Sequence, residues 1–381
     1  MTDRSPAQGW TTTEAQGATF VELFFDLVFV FAITSVTQLL LHDLTWAGVG
    51  NGLLILWLVW WAWTQFTWTL NPADSNHPAV RLITLAATAV AFFMAQAIPD
   101  AFTTAGAWFA FAYVIVRLLG LGLQVGLLGP GGQNARTVAT WIGGSAIGLV
   151  AVVAGGLMAS PGRQLLWGAA VLLDLLAASR AGRGSWNLDA AHFAERHGLI
   201  VIIALGESLI AAGIALGEVP RDLTFAASTI AAVVAVCALW WIYFGSAKDE
   251  LEDFLEAQPP EKAGAEGRDV YSWGHLPIIA GIIAFAVAIE QVLTHLDDAL
   301  AIEALIALAL GVALYLGGIA YGLRRTGRSI VPWVVAAGVA IVGVAAGSQA
   351  STGLASLVIL TVVLVAFAYW GYRDQRRERT A

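Results

Sequence analysis

Apolar runs of about 20 residues, parted by short polar breaks, fill nearly the whole chain, and each is long enough to cross a bilayer core. Twelve such runs cover residues 20–41, 48–70, 79–99, 104–128, 137–158, 163–179, 194–217, 223–246, 273–295, 300–321, 331–348 and 353–372. The expected fold is therefore all-α: a polytopic transmembrane helix bundle of about 12 spans. The sixth run is short and carries Asp174, and the eleventh is rich in Ala and Gly. The longest polar break, 247–272, contains "AKDELEDFLEAQPPEKAGAEGRD". Leu251, Phe254 and Leu255 share one face of a short acidic helix there, which Pro259–Pro260 end. That helix is expected at a solvated surface.

The pattern repeats itself. "FVELFFDLVFVFAITS" (20–35) lies over "FAERHGLIVIIALGES" (193–208), pairing Phe20 with Phe193, Glu22 with Glu195, Val28 with Val201 and Ser35 with Ser208. "LVWWAW" (58–63) lies over "ALWWIY" (238–243), which sets Trp60–Trp61 on Trp240–Trp241. Six spans per half is an even number, so two parallel six-helix repeats are expected, related by an axis along the membrane normal. The domain reading is a mobile cytoplasmic tail (1–18), a first repeat (19–180), a second repeat (181–372, with the acidic loop 247–272) and a basic cytoplasmic tail (373–381).

Composition excludes a soluble domain: 58% of residues are hydrophobic and only 12% charged, against about a quarter in soluble proteins. The mean hydropathy is +0.75. If the N-terminus is inside, all of the 19 Lys and Arg fall on the cytoplasmic side except Arg163 and Arg221, on the opposite side, and Arg117, within a span. This asymmetry predicts a cell-membrane protein with both termini cytoplasmic. The N-terminus lacks the basic region and cleavage site of a signal peptide. Cys237 is the single cysteine, so no intramolecular disulfide can form.

"FVELFFDLVFVFAIT" at the first span and "ERHGLIVIIALGESLIAAG" (195–213) at the seventh resemble the bacterial low-temperature-requirement protein A (LtrA) family. "WWAWTQFTW" followed by "NPADSNHPAVR" (71–81) fits the same pattern, and the resemblance runs over most of the chain. It implies a multi-pass bacterial membrane protein and brings no reaction or solute with it. A second string (Phe24, Asp26, Val28, Phe29, Ala32, Ile33, Thr34) is similar to the "FSDGVFAIAIT" string of lysosomal and bacterial potassium channels built from two six-helix repeats. Phe25 and Leu27 stand where that string has Ser and Gly.

Asp26, Arg117, Asp174, Glu207 and Glu290 fall inside spans, where ionisable groups face the bundle interior, a partner or water. Glu22 and Glu195 open their spans, where the helix dipole favours a carboxylate. Arg117 is expected to pair with Asp26 or Asp174, and Arg196 with Asp26, Glu22 or Asp74. A polar pathway through Asp26 and Glu207 is expected, with Arg117 and Asp174 as further candidates along it and Glu22, Asn71, Asp74, His77, Arg81, His192, Glu195, Arg196 and His197 forming a cytoplasmic vestibule. Trp60, Trp61, Trp63, Trp240, Trp241 and Tyr243 are candidates for lining an aromatic cavity. Helix contacts are expected at Gly122/Gly126, Gly144/Gly148, Gly213/Gly217, Gly318/Gly322 and Gly343/Gly347. No metal-ligand spacing, P-loop or nucleotide fingerprint occurs, so neither metal nor cofactor is expected. The expected partners are the lipid bilayer and a small solute, ion or lipid; a homo-oligomer is open and no nucleic acid is expected. The leading function is a transporter or channel-like protein, with proton coupling as one form of it. The alternatives are an intramembrane enzyme using a buried carboxylate as acid on a lipid or isoprenoid, and a non-catalytic membrane or stress-adaptation protein.

Overall fold

The structure, a computed structural model, describes residues 10–12, 17–128, 134–181, 186–215, 222–295, 298–349 and 352–380. Among these, every one of the twelve apolar runs forms a helix, and no β-strand occurs. The long helices are α1 (Phe20–His42), α2 (Trp46–Leu70), α3 (Pro78–Gln96), α4 (Gly106–Gly126), α5 (Ala135–Gly156), α6 (Gly162–Ala181), α7 (Ala190–Ala215) and α8 (Leu223–Phe244). After the short α9 (Lys248–Glu256) and α10 (Pro260–Glu266) come α11 (His275–Thr294), α12 (Ile302–Thr326), α13 (Val331–Ser348) and α14 (Gly353–Thr380). Eleven helical stretches are long and apolar enough to cross a membrane. The twelfth long helix, α6, carries Arg163, Asp174 and Arg180.

Local chemistry sets the helix ends. Thr45 caps α2 by accepting from Gly48 N–H, Asn134 caps α5 through Arg136 and Thr137 N–H, and Asp222 caps α8 through Phe225 N–H. His77 caps α3, whose first residue is Pro78. α12 runs past the apolar stretch through Arg324 and Arg325 and stops at Gly327, whose φ of +88° suits glycine.

The chain forms two compact units. The first contains α1–α6, the beginning of α7 up to His197, and residues 255–272. Within it α1 packs on α2 and α3, α2 on α4 and α6, and α3 to α6 pack in succession. Arg163, at the start of α6, donates to Ala101 O (2.7 Å) and Thr103 O (3.3 Å), joining the α3–α4 and α5–α6 ends. The second unit contains 198–254 and 273–381. There α11, α12, α13 and α14 pack in succession and α14 also packs on α8. Many large apolar side chains face outward, including Leu53, Leu82, Phe93, Trp108, Ile147 and Leu165. Such a surface suits hydrocarbon rather than water.

Several expectations need correction. The break 247–272 holds the short acidic helix expected there, α9, with Asp249, Asp253 and Glu256 exposed, and it also holds more ordered structure than one helix. Leu251 and Leu255 of α9 are buried, and Glu250 holds Thr326 (2.5 Å) and Arg328. α9 stops at Glu256, ahead of Pro259–Pro260, Pro260 then starts α10, and a buried π-helical segment, Gly267–Trp273, leads into α11. Residues 10–12, expected in a mobile tail, are pinned to the α2–α3 connection. Thr11 bridges Ala73, Asp74 N–H donates to Trp10 O (2.8 Å) and Thr12 N–H to Pro72 O (3.2 Å). Gly144, Gly318, Gly343 and Gly347 do sit at close helix approaches, whereas Gly122 and Gly213 face open space. Outside the expected pairs, Gly281 also sits at a close approach, where an added Cβ would lie 2.5 Å from Gly311 O.

Candidate functional site

The first unit holds a buried charge cluster built from α1, α2 and α7. Glu22 and Asp26 are one helical turn apart on α1, so they share a face, and both are completely buried. On α7, His192 and Arg196 have the same spacing and are also buried. Arg196 grips Asp26 with two bonds, Nε to Oδ2 at 3.1 Å and Nη2 to Oδ1 at 2.5 Å. Its Nη1 reaches Glu22 Oε1 at 3.0 Å. Trp63 Nε1–H donates to Asp26 Oδ1 at 2.7 Å, and the Arg196 guanidinium lies 6.0 Å from the centre of the Trp63 ring. The other oxygen of Glu22 accepts from Thr19 N–H (2.9 Å) and the Thr19 hydroxyl (2.8 Å), which fastens the start of α1.

The position of α7 follows from its N-terminus. Asn71, at the end of α2, donates to Asp189 O (2.9 Å) and accepts from Asp189 N–H (2.7 Å), while Asp189 Oδ1 accepts from His192 N–H (3.0 Å). His192 Nε2 lies 3.2 Å from Glu22 Oε1 without hydrogen-bond geometry, and its Nδ1 has no partner among the described residues. Beside this cluster, His197 Nδ1–H donates to Phe193 O (2.8 Å), and the ring is surrounded by Trp63, Phe193 and Tyr271 at 4.6–5.1 Å between centres.

With both carboxylates ionised, the formal charges of Glu22, Asp26 and Arg196 sum to −1. A second buried pair in the same unit sums to zero. Arg117 Nη2 lies 3.6 Å from Asp174 Oδ1, Nη1 donates to Tyr113 Oη (2.6 Å) and Nη2 donates to Ser145 Oγ (3.1 Å). This pair joins α4, α5 and α6.

The aromatic residues divide. Trp60, Trp61 and Trp63 are buried in the first unit, and Trp60 Nε1–H donates to Ser272 O (2.7 Å) while Trp68 Nε1–H donates to Ser272 Oγ (2.9 Å). Trp61, Trp68, Trp141 and Trp186 border a cavity of about 20 Å³. Thr64 Oγ1, Gln124 Oε1 and Trp141 Nε1 beside it have no partner among the described residues. A space of this size suits one or two waters. In the second unit Trp240 and Trp241 are 41% and 44% exposed, while Tyr243 is buried with its hydroxyl 2.7 Å from His275 Nε2.

The remaining candidates lie elsewhere. Glu195 is exposed and accepts from Ala18 N–H (2.8 Å). Asp74 accepts from Asn76 N–H, His77 from Ala79 N–H, and Arg81 donates to Asn76, all around the start of α3. Glu207 is half-buried in the second unit. Among residues the sequence did not single out, Tyr113 lies one turn before Arg117, a spacing that could have flagged it. Ser145, Gln124 and Ser272 carry no such signal.

The family model described as "Bacterial low temperature requirement A protein (LtrA)" matches residues 17–369. The chain is similar to the uncharacterized protein RA0937 of Rhizobium meliloti (strain 1021), 27% identical over 382 residues covering 94% of this chain and 90% of that one. No solved structure matches.

Proposed function

We propose, for a chain that belongs to the bacterial low temperature requirement A family, transport or channel-like passage of a small solute or ion, with a proton or monovalent cation held at Glu22, Asp26, Arg196 and His192. One observation carries this reading: with both carboxylates ionised and His192 neutral, the buried cluster has one formal negative charge in excess. An uncompensated charge in a low-dielectric interior is costly, so the cluster recruits a counter-charge. A helix-locking ion pair needs no such excess, and Arg117–Asp174 in the same unit balances to zero. His192, 3.2 Å from Glu22, stands where an incoming proton or cation would meet the excess charge. The firm grip of Arg196 on Asp26 favours Glu22 rather than Asp26 as the exchanging carboxylate.

The small Trp-bordered cavity supports this reading over an intramembrane enzyme, because about 20 Å³ leaves no room for an isoprenoid or acyl chain. Both termini belong on the cytoplasmic side by the distribution of Lys and Arg. Purified protein in liposomes carrying an internal pH dye tests the proposal under imposed proton, Na⁺ and K⁺ gradients. Wild type dissipates at least one gradient, and Glu22→Gln, folded to the same melting temperature, does not. Tight liposomes under every gradient, or a Glu22→Gln variant with wild-type flux, would overturn it.

A further inference from the structure

Where α1 and α3 begin, a groove of about 610 Å³ lies open, its walls including Thr19, Phe20, Phe24, Asn76, Arg81 and Leu85. Among the described residues, Arg81 is its one charged side chain and no carboxylate lines it. The Arg81 Nη2 donates to Asn76 Oδ1 at 2.9 Å, and the rest of the guanidinium has no acceptor among the described residues. Arg81 is exposed, so its donors are available.

Below this guanidinium runs an apolar seam. On α1 it consists of Phe20, Phe24, Leu27 and Phe31, between 37% and 91% exposed, and on α3 of Leu82, Leu85 and Phe92. The spacings of three, four and seven keep these side chains on one face of each helix. Phe31 and Phe92 stack at 5.4 Å and close the far end. From Phe20 to Phe31 the helix rises about 16 Å at 1.5 Å per residue, close to half of a roughly 30 Å hydrocarbon core. The seam therefore has the depth of one leaflet, with a single cation at its polar end.

We propose that this groove binds one anionic phospholipid, its phosphodiester on Arg81 and its acyl chains along the α1–α3 seam. A guanidinium presents paired donors to phosphate oxygens. Thr19 and Asn76 offer polar atoms to the hydroxyls of a glycerol headgroup. Among the described residues no carboxylate lines the walls to receive the ammonium of a zwitterionic headgroup, so an anionic lipid is preferred. This site rests on observations separate from the buried cluster and stands whether or not the protein carries ions.

Delipidated full-length protein in a neutral detergent is titrated with phosphatidylglycerol, with phosphatidylcholine of the same chains and with sodium phosphate, reading native mass spectra and melting temperature. Phosphatidylglycerol is expected to bind about tenfold tighter than phosphatidylcholine, the scale of one charged hydrogen-bonded contact. Arg81→Gln should abolish that preference while melting like wild type without lipid. Arg81→Lys should keep part of it, and Arg136→Gln, an exposed cation on α5, should keep all of it. Phe24→Ala should weaken lipid binding. Equal binding of both lipids, an Arg81→Gln variant that keeps the preference, or phosphate reproducing the full effect of phosphatidylglycerol would each overturn the proposal.

Discussion

Arg196→Gln is the most informative single change, because it removes the cation between two carboxylates with no exposure of their own. Removing one partner of a buried pair costs about 3–5 kcal/mol. Here one guanidinium serves both Glu22 and Asp26, so the upper part of that range applies. Asp26→Asn loses the two-bond grip and weakens the Trp63 contact but leaves Arg196 with Glu22, so about 1.5–3 kcal/mol is expected. Glu22→Gln keeps an acceptor for Thr19 and leaves Asp26 and Arg196 balanced, so the change should stay within about 1 kcal/mol. At roughly 2–4 °C per kcal/mol, a loss of about 4–5 kcal/mol should lower the melting temperature in detergent by about 8–20 °C for Arg196→Gln. For Glu22→Gln it should move by less than about 4 °C. Arg196→Gln combined with Asp26→Asn should recover part of the loss, since one stranded carboxylate is gone. If Glu22→Gln proves as damaging as Arg196→Gln, the excess charge is an integral part of the folded cluster and the counter-charge argument fails.

Tyr113→Phe should cost about 1.5–3 kcal/mol of stability by removing a 2.6 Å bond to the buried Arg117, yet leave ion flux in liposomes at the wild-type level; a selective loss of flux would place that pair in the pathway instead. Gly281→Ala should destabilise by about 1–3 kcal/mol, since its Cβ meets Gly311 O at 2.5 Å and Tyr315 N at 2.6 Å, backbone that cannot swing aside. Gly213→Ala, in open space, should melt no lower than wild type, and equal effects at the two positions would refute the close approach of α11 and α12. In a Cys237→Ala background, cysteines at Asp100 and Asp298 should react with an impermeant reagent from outside the cell and one at Lys262 only after permeabilisation. The reverse pattern would invert the topology.

What the residues alone determine here is the set of helices. Whether 20 consecutive apolar residues can cross a bilayer depends on those residues and the bilayer thickness, so the twelve runs map onto twelve helices within a few positions. The misses at their ends are local too: α2 starts at Trp46 because Thr45 caps it, and α12 continues to Thr326 because Gly327 is the first residue to take positive φ. Pairing is a different matter. From the sequence, Asp26, Glu22 and Asp74 were equal candidates for Arg196, and Asp26 and Asp174 for Arg117. The fold sends Arg196 to Asp26 and Glu22, about 170 positions away, Arg117 to Asp174, and leaves Asp74 at the surface beside Trp10. No periodicity encodes such a choice, because it depends on which helix faces come together when α1, α2 and α7 pack. In the polar stretch 247–272 the short helix α9 was legible, but what packs on the rest was not, for the same reason. Its composition favours water, but Ser272 is buried and held by Trp60 and Trp68, more than 200 positions away, and only the packed structure supplies those neighbours.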